Sequence, residues 1–326
     1  MVQVNNINDI ITGVVTISVL FVAIICYKLT RFSSSPSLPP GPRSLPIVGY
    51  LPFLGPDLHK QFTSMAHTYG PIFKVHLGNK LYVVINTPDL VKAVVHDQGE
   101  TFANRDLTVA ASILSYGGQN IVFSNNSYWR NIRKIFVHEV LSNKNLQATS
   151  SFRRDEVRKT IKNVFTRIGT NVDISEISFC TEANVLTSMV WGNTADKGAK
   201  GSDLGTELQM VASNFVEILA RANLSDFFPS LGWFDLQGVE RDMKKQIKNL
   251  DQLFENIIDD RIKSNSNRSK DKVSHEGKKD FLQILLDRND KKDATSLNIT
   301  QIKALLVVNI IILYISWIAY SHDIYK

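Results

Sequence analysis

The 326 residues are 44% hydrophobic and 21% charged, which excludes a generally disordered chain. Two cysteines, Cys26 and Cys180, exclude a disulfide scaffold and fit a reducing compartment. A net charge of +6 suits anionic membranes or acidic proteins; with no aromatic-laced basic run and no zinc-finger spacing, nucleic acid is not an expected partner.

Residues 10–27 carry no charge and are long enough to span a bilayer as a helix. Lys28 and Arg31 follow and only Asp9 precedes, which places the rest of the chain in the cytoplasm. A cleaved signal would need a basic start and a small-x-small cleavage site, and neither is present, so residues 1–32 are expected to be an uncleaved membrane anchor. Seven of the ten prolines lie between Pro36 and Pro56. Proline fixes φ and removes a donor, so 33–56 is expected to be a semi-rigid hinge rather than a Pro-rich ligand.

Asp57–Tyr69 has the spacing of a short helix with Leu58, Phe62, Met65 and Ala66 on one side. Residues 71–77 and 81–86 are apolar, β-rich runs joined through Gly78-Asn79-Lys80, a hairpin pattern. Thr87-Pro88-Asp89 starts a helix that runs to about Asp97. Residues 103–123 are expected to be a mixed loop containing Tyr116-Gly117-Gly118.

Residues 124–141 predict an amphipathic helix, with Ser127 as N-cap and apolar positions at Ile132, Ile135, Phe136 and Val140. Trp129 and Arg133 are four apart and share a face. An indole N–H and a guanidinium there are two donors with no acceptor between them, an arrangement that suits a carboxylate. The competing reading is a Trp packed on the core with an Arg snorkelling beside it.

Helical patterns then run over 145–168, 173–191, 202–221, 235–264, 279–289 and from 299 onward. Residues 264–280 hold eight charges among seventeen and are expected to be a solvated loop. Gly198, Gly201 and Gly205 lack phosphate-loop spacing and are expected to make a flexible loop. His138-Glu139 begins like a zinc-protease motif, but Ser142 stands where the second His is needed. Sequons at Asn125, Asn223, Asn267 and Asn298 stay unmodified in a cytoplasmic body; their glycosylation would point instead to a secreted or luminal binding protein.

In order and spacing, these segments resemble the N-terminal part of the cytochrome P-450 superfamily of heme-thiolate monooxygenases, plant microsomal type. The carriers are Leu38-Pro39-Pro40-Gly41-Pro42, Pro46-Ile47-Val48-Gly49, Tyr69-Gly70-Pro71-Ile72-Phe73, Phe102-Ala103-Asn104-Arg105, Trp129-x-x-x-Arg133, Asp226-Phe227-Phe228-Pro229 and Asp280-Phe281-Leu282. The resemblance implies a mainly α fold with a small β-sheet (α+β), a heme cofactor, and Trp129 with Arg133 contacting a heme propionate. It makes 103–123 the substrate-contacting loop, with Val109, Ile113, Ile121 and Val122 as apolar candidates. It implies three partners: NADPH–cytochrome P-450 reductase, the endoplasmic reticulum membrane and a small lipophilic substrate, into which one oxygen atom of O2 is inserted. Arg130, Lys134 and Lys144 are candidates for the basic face that meets the reductase.

The resemblance stops after Gln301-Ile302-Lys303-Ala304-Leu305-Leu306, so 57–306 is expected to be the N-terminal part of the family domain and 307–326 a non-matching apolar tail. The oxygen-activating Gly-acid-Thr stretch, the Glu-x-x-Arg motif and the Phe-x-x-Gly-x-x-x-Cys-x-Gly loop are not in these 326 residues. Neither Cys26 nor Cys180 has the glycines of a thiolate loop, so the axial metal ligand is absent and no catalytic residue is assigned. The expectation is a truncated product or faulty gene model that is inactive alone. The alternative is a non-catalytic, membrane-anchored interaction protein.

Overall fold

The computed structural model describes residues 2–32, 38–140, 142–192, 204–268, 280–289 and 296–324. These form two compact units, residues 1–103 with 227–232 and residues 104–226 with 233–326.

In the first unit, Val2–Phe32 forms helix α1. Its side chains from Ile10 to Cys26 are exposed apart from half-buried Ile25, while Tyr27, the end of the expected span, has a side chain outside the described set. Among the described residues no helix is long and apolar enough to cross a membrane. Helix α2 (Leu58–Tyr69) and the strands β1 (Ile72–Leu77) and β2 (Lys80–Ile85) lie where the pattern placed them. The strands pair antiparallel from Ile72 opposite Ile85 to Leu77 opposite Lys80. The two-residue period of β1 sends Phe73, Val75 and Leu77 inward, where Met65, Phe62 and Tyr69 of α2 meet them.

Two glycines of the proline-rich runs, Gly41 and Gly49, have backbone reasons to be glycine. At Gly41 a Cβ would collide with the Lys74 carbonyl, because Pro40 O accepts from Lys74 N at 2.8 Å. Gly49 has φ +65°, and a Cβ there would press on the His76 carbonyl. Helix α3 (Pro88–Lys92) starts after Thr87, though the Thr87 side chain makes no capping bond; it widens into a π-helical turn over Ala93–Asp97, before α4 (Gly99–Phe102).

The second unit is helical. It holds α5 (Val109–Leu114), α6 (Ser127–Ile135), α7 (Asn143–Ala148), α8 (Ser150–Thr166), α9 (Ile174–Trp191) and α10 (Leu204–Ala220). Then come α11 (Leu224–Phe227, which ends in the first unit), α12 (Val239–Arg268), α13 (Phe281–Asn289) and α14 (Ile299–Ile324).

The core is built on α12 and α14. Along α12, Val239, Met243, Leu250, Phe254 and Ile258 keep the helical period and are buried. On α14, Ile302–Val308 and Ile310 are buried all round, the pattern of a central helix rather than a surface one. Val307, Val308 and Ile310, from the stretch expected to be a tail, are among these buried side chains; those beyond Ile311 lie outside the described set.

Three boundaries differ from the sequence reading. The helix expected over 145–168 is two helices, broken at Thr149, whose hydroxyl bonds back to the carbonyls of Asn145 (2.9 Å) and Leu146 (3.3 Å). The helix expected from 235 starts at Val239, because Asp235 sits at φ +42° and its carboxylate accepts from Glu240 N and Arg241 N, each at 3.0 Å. The expected mixed loop contains α5, capped by the Thr108 hydroxyl accepting from Ala111 N at 3.2 Å. Ala110, Ala111 and Leu114 bury one side of that short helix. The expected loops fall on 193–203, with Gly198 and Gly201, and on 269–279, outside the described residues; Gly205 instead lies within α10, residues 264–268 continue α12, and Asp280 is buried.

Asp280 caps α13 by accepting from Gln283 N at 2.9 Å and pairs with Arg261 of α12 at 2.7 Å. Arg261 also donates to Trp191 O at 2.5 Å. A single acid thereby fastens α9, α12 and α13 at one corner.

Candidate active site

The site grows from α6. Ile132 and Ile135 bury its inner face, and Phe136 meets Phe281 edge-on at 5.6 Å. The N-cap is Asn126 rather than Ser127. Asn126 is extended, with φ −116°, and its side-chain oxygen accepts from Trp129 N at 3.1 Å; Ser127 is the first helical residue. After Ile135 the helix widens into a π-helical turn over Phe136–Val140.

The i,i+4 spacing brings Trp129 and Arg133 together as expected. The Arg133 guanidinium carbon lies 5.0 Å from the centre of the Trp129 ring, within cation–π range. The expectation of two open donors is corrected, because the indole N–H donates to Ile121 O at 2.9 Å. Trp129 is therefore a half-buried platform, and the open donors belong to Arg133 alone. Arg133 is exposed and has no hydrogen-bond or ion-pair partner among the described residues. A planar fork held over an aromatic ring with its N–H groups unclaimed is suited to an incoming carboxylate. Arg130, Lys134 and Lys144 are all exposed.

Four bonds hold α5 and the segment between it and α6. Val109 N donates to Asp226 Oδ1 at 2.7 Å, and Tyr116 OH donates to Asp251 Oδ1 at 2.7 Å. Tyr128 OH donates to Gln119 O at 3.0 Å, and Trp129 holds Ile121 O. Buried Asn120 closes the turn by accepting from Val122 N at 3.1 Å and Phe123 N at 2.9 Å. Of the apolar candidates, Ile113 and Ile121 pack against the main core, while Val122 is 48% exposed. Val109 is half-buried and serves through its backbone. Tyr116, Asn120, Asp226 and Asp251 were not singled out from sequence as tethers. The usable signals were a Tyr before two glycines and an acid in the Asp-Phe-Phe-Pro run.

Burial pushes the Tyr116 phenol far above its ordinary range, and the neighbouring Asp251 and Glu255 add to this. Burial alone pushes Tyr128 up to about 12. Both hydroxyls stay protonated donors at neutral pH.

Heme, the cofactor implied by the resemblance, can be tested against these side chains. Arg133 on Trp129 fits a propionate. The cysteines do not fit an axial ligand. Cys26 is exposed on α1, and Cys180 lines a polar cleft of about 160 Å³ between α8 and α9, beside Glu156, Lys159 and Asn184. No cluster of three or more His, Cys, Asp or Glu suited to a metal occurs among the described residues.

The family model for cytochrome P450 matches residues 39–311. Flavonoid 3',5'-hydroxylase of Gentiana triflora is 34% identical over 278 residues, which are 83% of this chain and 51% of that protein. Carnosic acid synthase of Salvia pomifera is 30% identical, with coverage of 83% and 54%, and flavonoid 3',5'-hydroxylase of Solanum melongena is 31% identical, with coverage of 90% and 56%. The chain thus spans about half the length of the curated relatives it matches. A solved zebra fish cytochrome P450 with progesterone shares the fold at a TM-score of 0.55 and 21% identity, covering 78% of this chain and 55% of that one. With the family model covering most of its length, with these relatives, and with a mainly helical architecture carrying one two-stranded sheet, the chain belongs to the cytochrome P450 family.

Proposed function

We propose that these residues form the N-terminal part of a heme-thiolate monooxygenase domain acting on a small lipophilic plant metabolite. The observation that carries this reading is the open guanidinium of Arg133 on the Trp129 ring. Arg133 would grip a heme propionate bidentately, while Trp129, tied to Ile121 O, fixes the height of that grip. Heme with a cysteine thiolate on its iron supplies oxygen activation in this family. The chain's own residues bind and orient: Arg133 neutralises a carboxylate, and α5 with the tethered segment after it sets an apolar wall through Ile113 and Ile121. The flavonoid and carnosic acid enzymes among the relatives favour a phenolic or terpenoid substrate class. Val109 and Val122 complete the proposed substrate-contacting set, Val122 through its exposed side chain.

Helix α1 would anchor the body to the endoplasmic reticulum membrane, since its described side chains from Ile10 to Ile24 are almost all apolar and exposed and Lys28 and Arg31 follow. NADPH–cytochrome P450 reductase would meet the body at exposed Arg130, Lys134 and Lys144. These 326 residues by themselves supply no iron thiolate, so oxygen chemistry needs one from outside them.

The reading is tested by titrating the detergent-solubilised chain with hemin and following tryptophan quenching. Arg133→Ala should weaken binding about tenfold or more, as expected for one charge-assisted contact. Arg130→Ala should change it less than twofold. Equal losses at both positions would place the carboxylate elsewhere.

A further inference from the structure

Lys303 interrupts the buried apolar run of α14. Its ammonium lies 2.8 Å from Glu255 Oε1 and 3.1 Å from Asp251 Oδ1, two acids one turn apart on α12. A buried cation on a central helix needs such counter-charges. Burial lowers its pKa, but the hydrogen bonds to Glu255 and Asp251 outweigh this and the net shift is upward, so Lys303 stays charged. The same Asp251 oxygen accepts from Tyr116 OH at 2.7 Å. Tyr116 has φ +52°, and Gly117 and Gly118 follow at +76° and +81°. An aromatic residue in that backbone region persists only where its surroundings fix it. The chain of contacts therefore runs from the core helix, through one carboxylate, to the turn between α5 and α6.

We propose that Tyr116 is a positioning residue whose hydroxyl, through Asp251 and Lys303, sets where Ile113 and Ile121 stand in the segment that contacts substrate. The inference rests on the substrate-contacting reading proposed above. Asp251 carries both bonds, so the latch is a coupled unit. Loss of the hydroxyl frees the turn, and loss of the ammonium frees Asp251 to turn away from it. The phenol ring packs on the core independently of its hydroxyl, so Tyr116→Phe removes the tie and keeps the packing.

Hydrogen exchange on the detergent-solubilised chain, with and without naringenin as an apolar phenolic probe, tests the proposal. Tyr116→Phe should speed exchange of amides 115–123 about tenfold, the scale of one lost hydrogen bond, and leave α9 and α13 unchanged. Lys303→Met should speed the same amides. The double variant should do little more than the larger single one, because both act through Asp251. Naringenin should slow exchange of these amides in the wild-type chain and fail to do so in Tyr116→Phe. Unchanged exchange at 115–123, additive effects, or equal acceleration in α9 and α13 would overturn the latch. Expected behaviour of all variants with no naringenin protection in the wild type would overturn the substrate-contacting reading, and the positioning role with it.

Discussion

Asp280→Ala gives a direct measure of how the helical unit is fastened. The Asp280 and Arg261 side chains are only 8% and 13% exposed, so this is a buried pair rather than a surface one. Removing the acid takes a buried carboxylate from the guanidinium, which keeps the Trp191 carbonyl, and strips the cap from α13. Breaking one side of a buried ion pair costs about 3–5 kcal/mol, and a lost N-cap about 1 kcal/mol, with some overlap between the two. We predict a loss of about 4 kcal/mol, seen as a fall of roughly 10 °C in the thermal midpoint for a unit of this size. Asp280→Asn keeps an acceptor for Gln283 N and should recover the cap part only. The assay is thermal melting of the purified chain in detergent, followed by far-ultraviolet circular dichroism. A midpoint lowered by less than about 3 °C in Asp280→Ala, or Asp280→Asn melting like the parent, would refute the reasoning.

Two further outcomes follow from the same geometry. Gly41→Ala should lose about 1–3 kcal/mol in urea denaturation, because its Cβ meets a backbone carbonyl that cannot move without breaking the Pro40–Lys74 bond. Stability should also fall as pH rises past about 10, where an unfolded Tyr loses its proton. Folded Tyr116 and Lys303 have raised pKa values and hold their protons, so the unfolded state binds fewer protons there and gains ground; Tyr116→Phe should flatten that loss.

Much of this architecture was legible because its signals are local. The hairpin shows in alternating Phe73, Val75 and Leu77, and α9, α10 and α13 lie within a few residues of their apolar periods. The Trp129–Arg133 pair followed from helical spacing alone. What escaped depends on partners distant in sequence. Trp129 donates to a carbonyl in the preceding loop, Val109 N reaches Asp226, and Tyr116 reaches Asp251; no local period encodes these. The break at Thr149 and the shift of the cap to Asn126 turn on which of several adjacent polar side chains bonds the backbone, a competition that composition does not decide. Lys303 was the overlooked clue, since a charge inside an apolar run demands acids on the facing helix.

The proposed role of this chain is the propionate-binding wall of a cytochrome P450, with the thiolate supplied from outside these 326 residues. Its most direct test compares reduced carbon-monoxide difference spectra of two microsomal proteins. One is the 326-residue chain; the other is residues 1–306 joined to the part of the Gentiana triflora flavonoid 3',5'-hydroxylase that follows the matched region. No thiolate-type band is expected from the chain alone, a band is expected from the joined protein, and most of that band should be lost with Arg133→Ala. A thiolate-type band from the 326 residues by themselves, or full heme incorporation in the joined protein carrying Arg133→Ala, would contradict it.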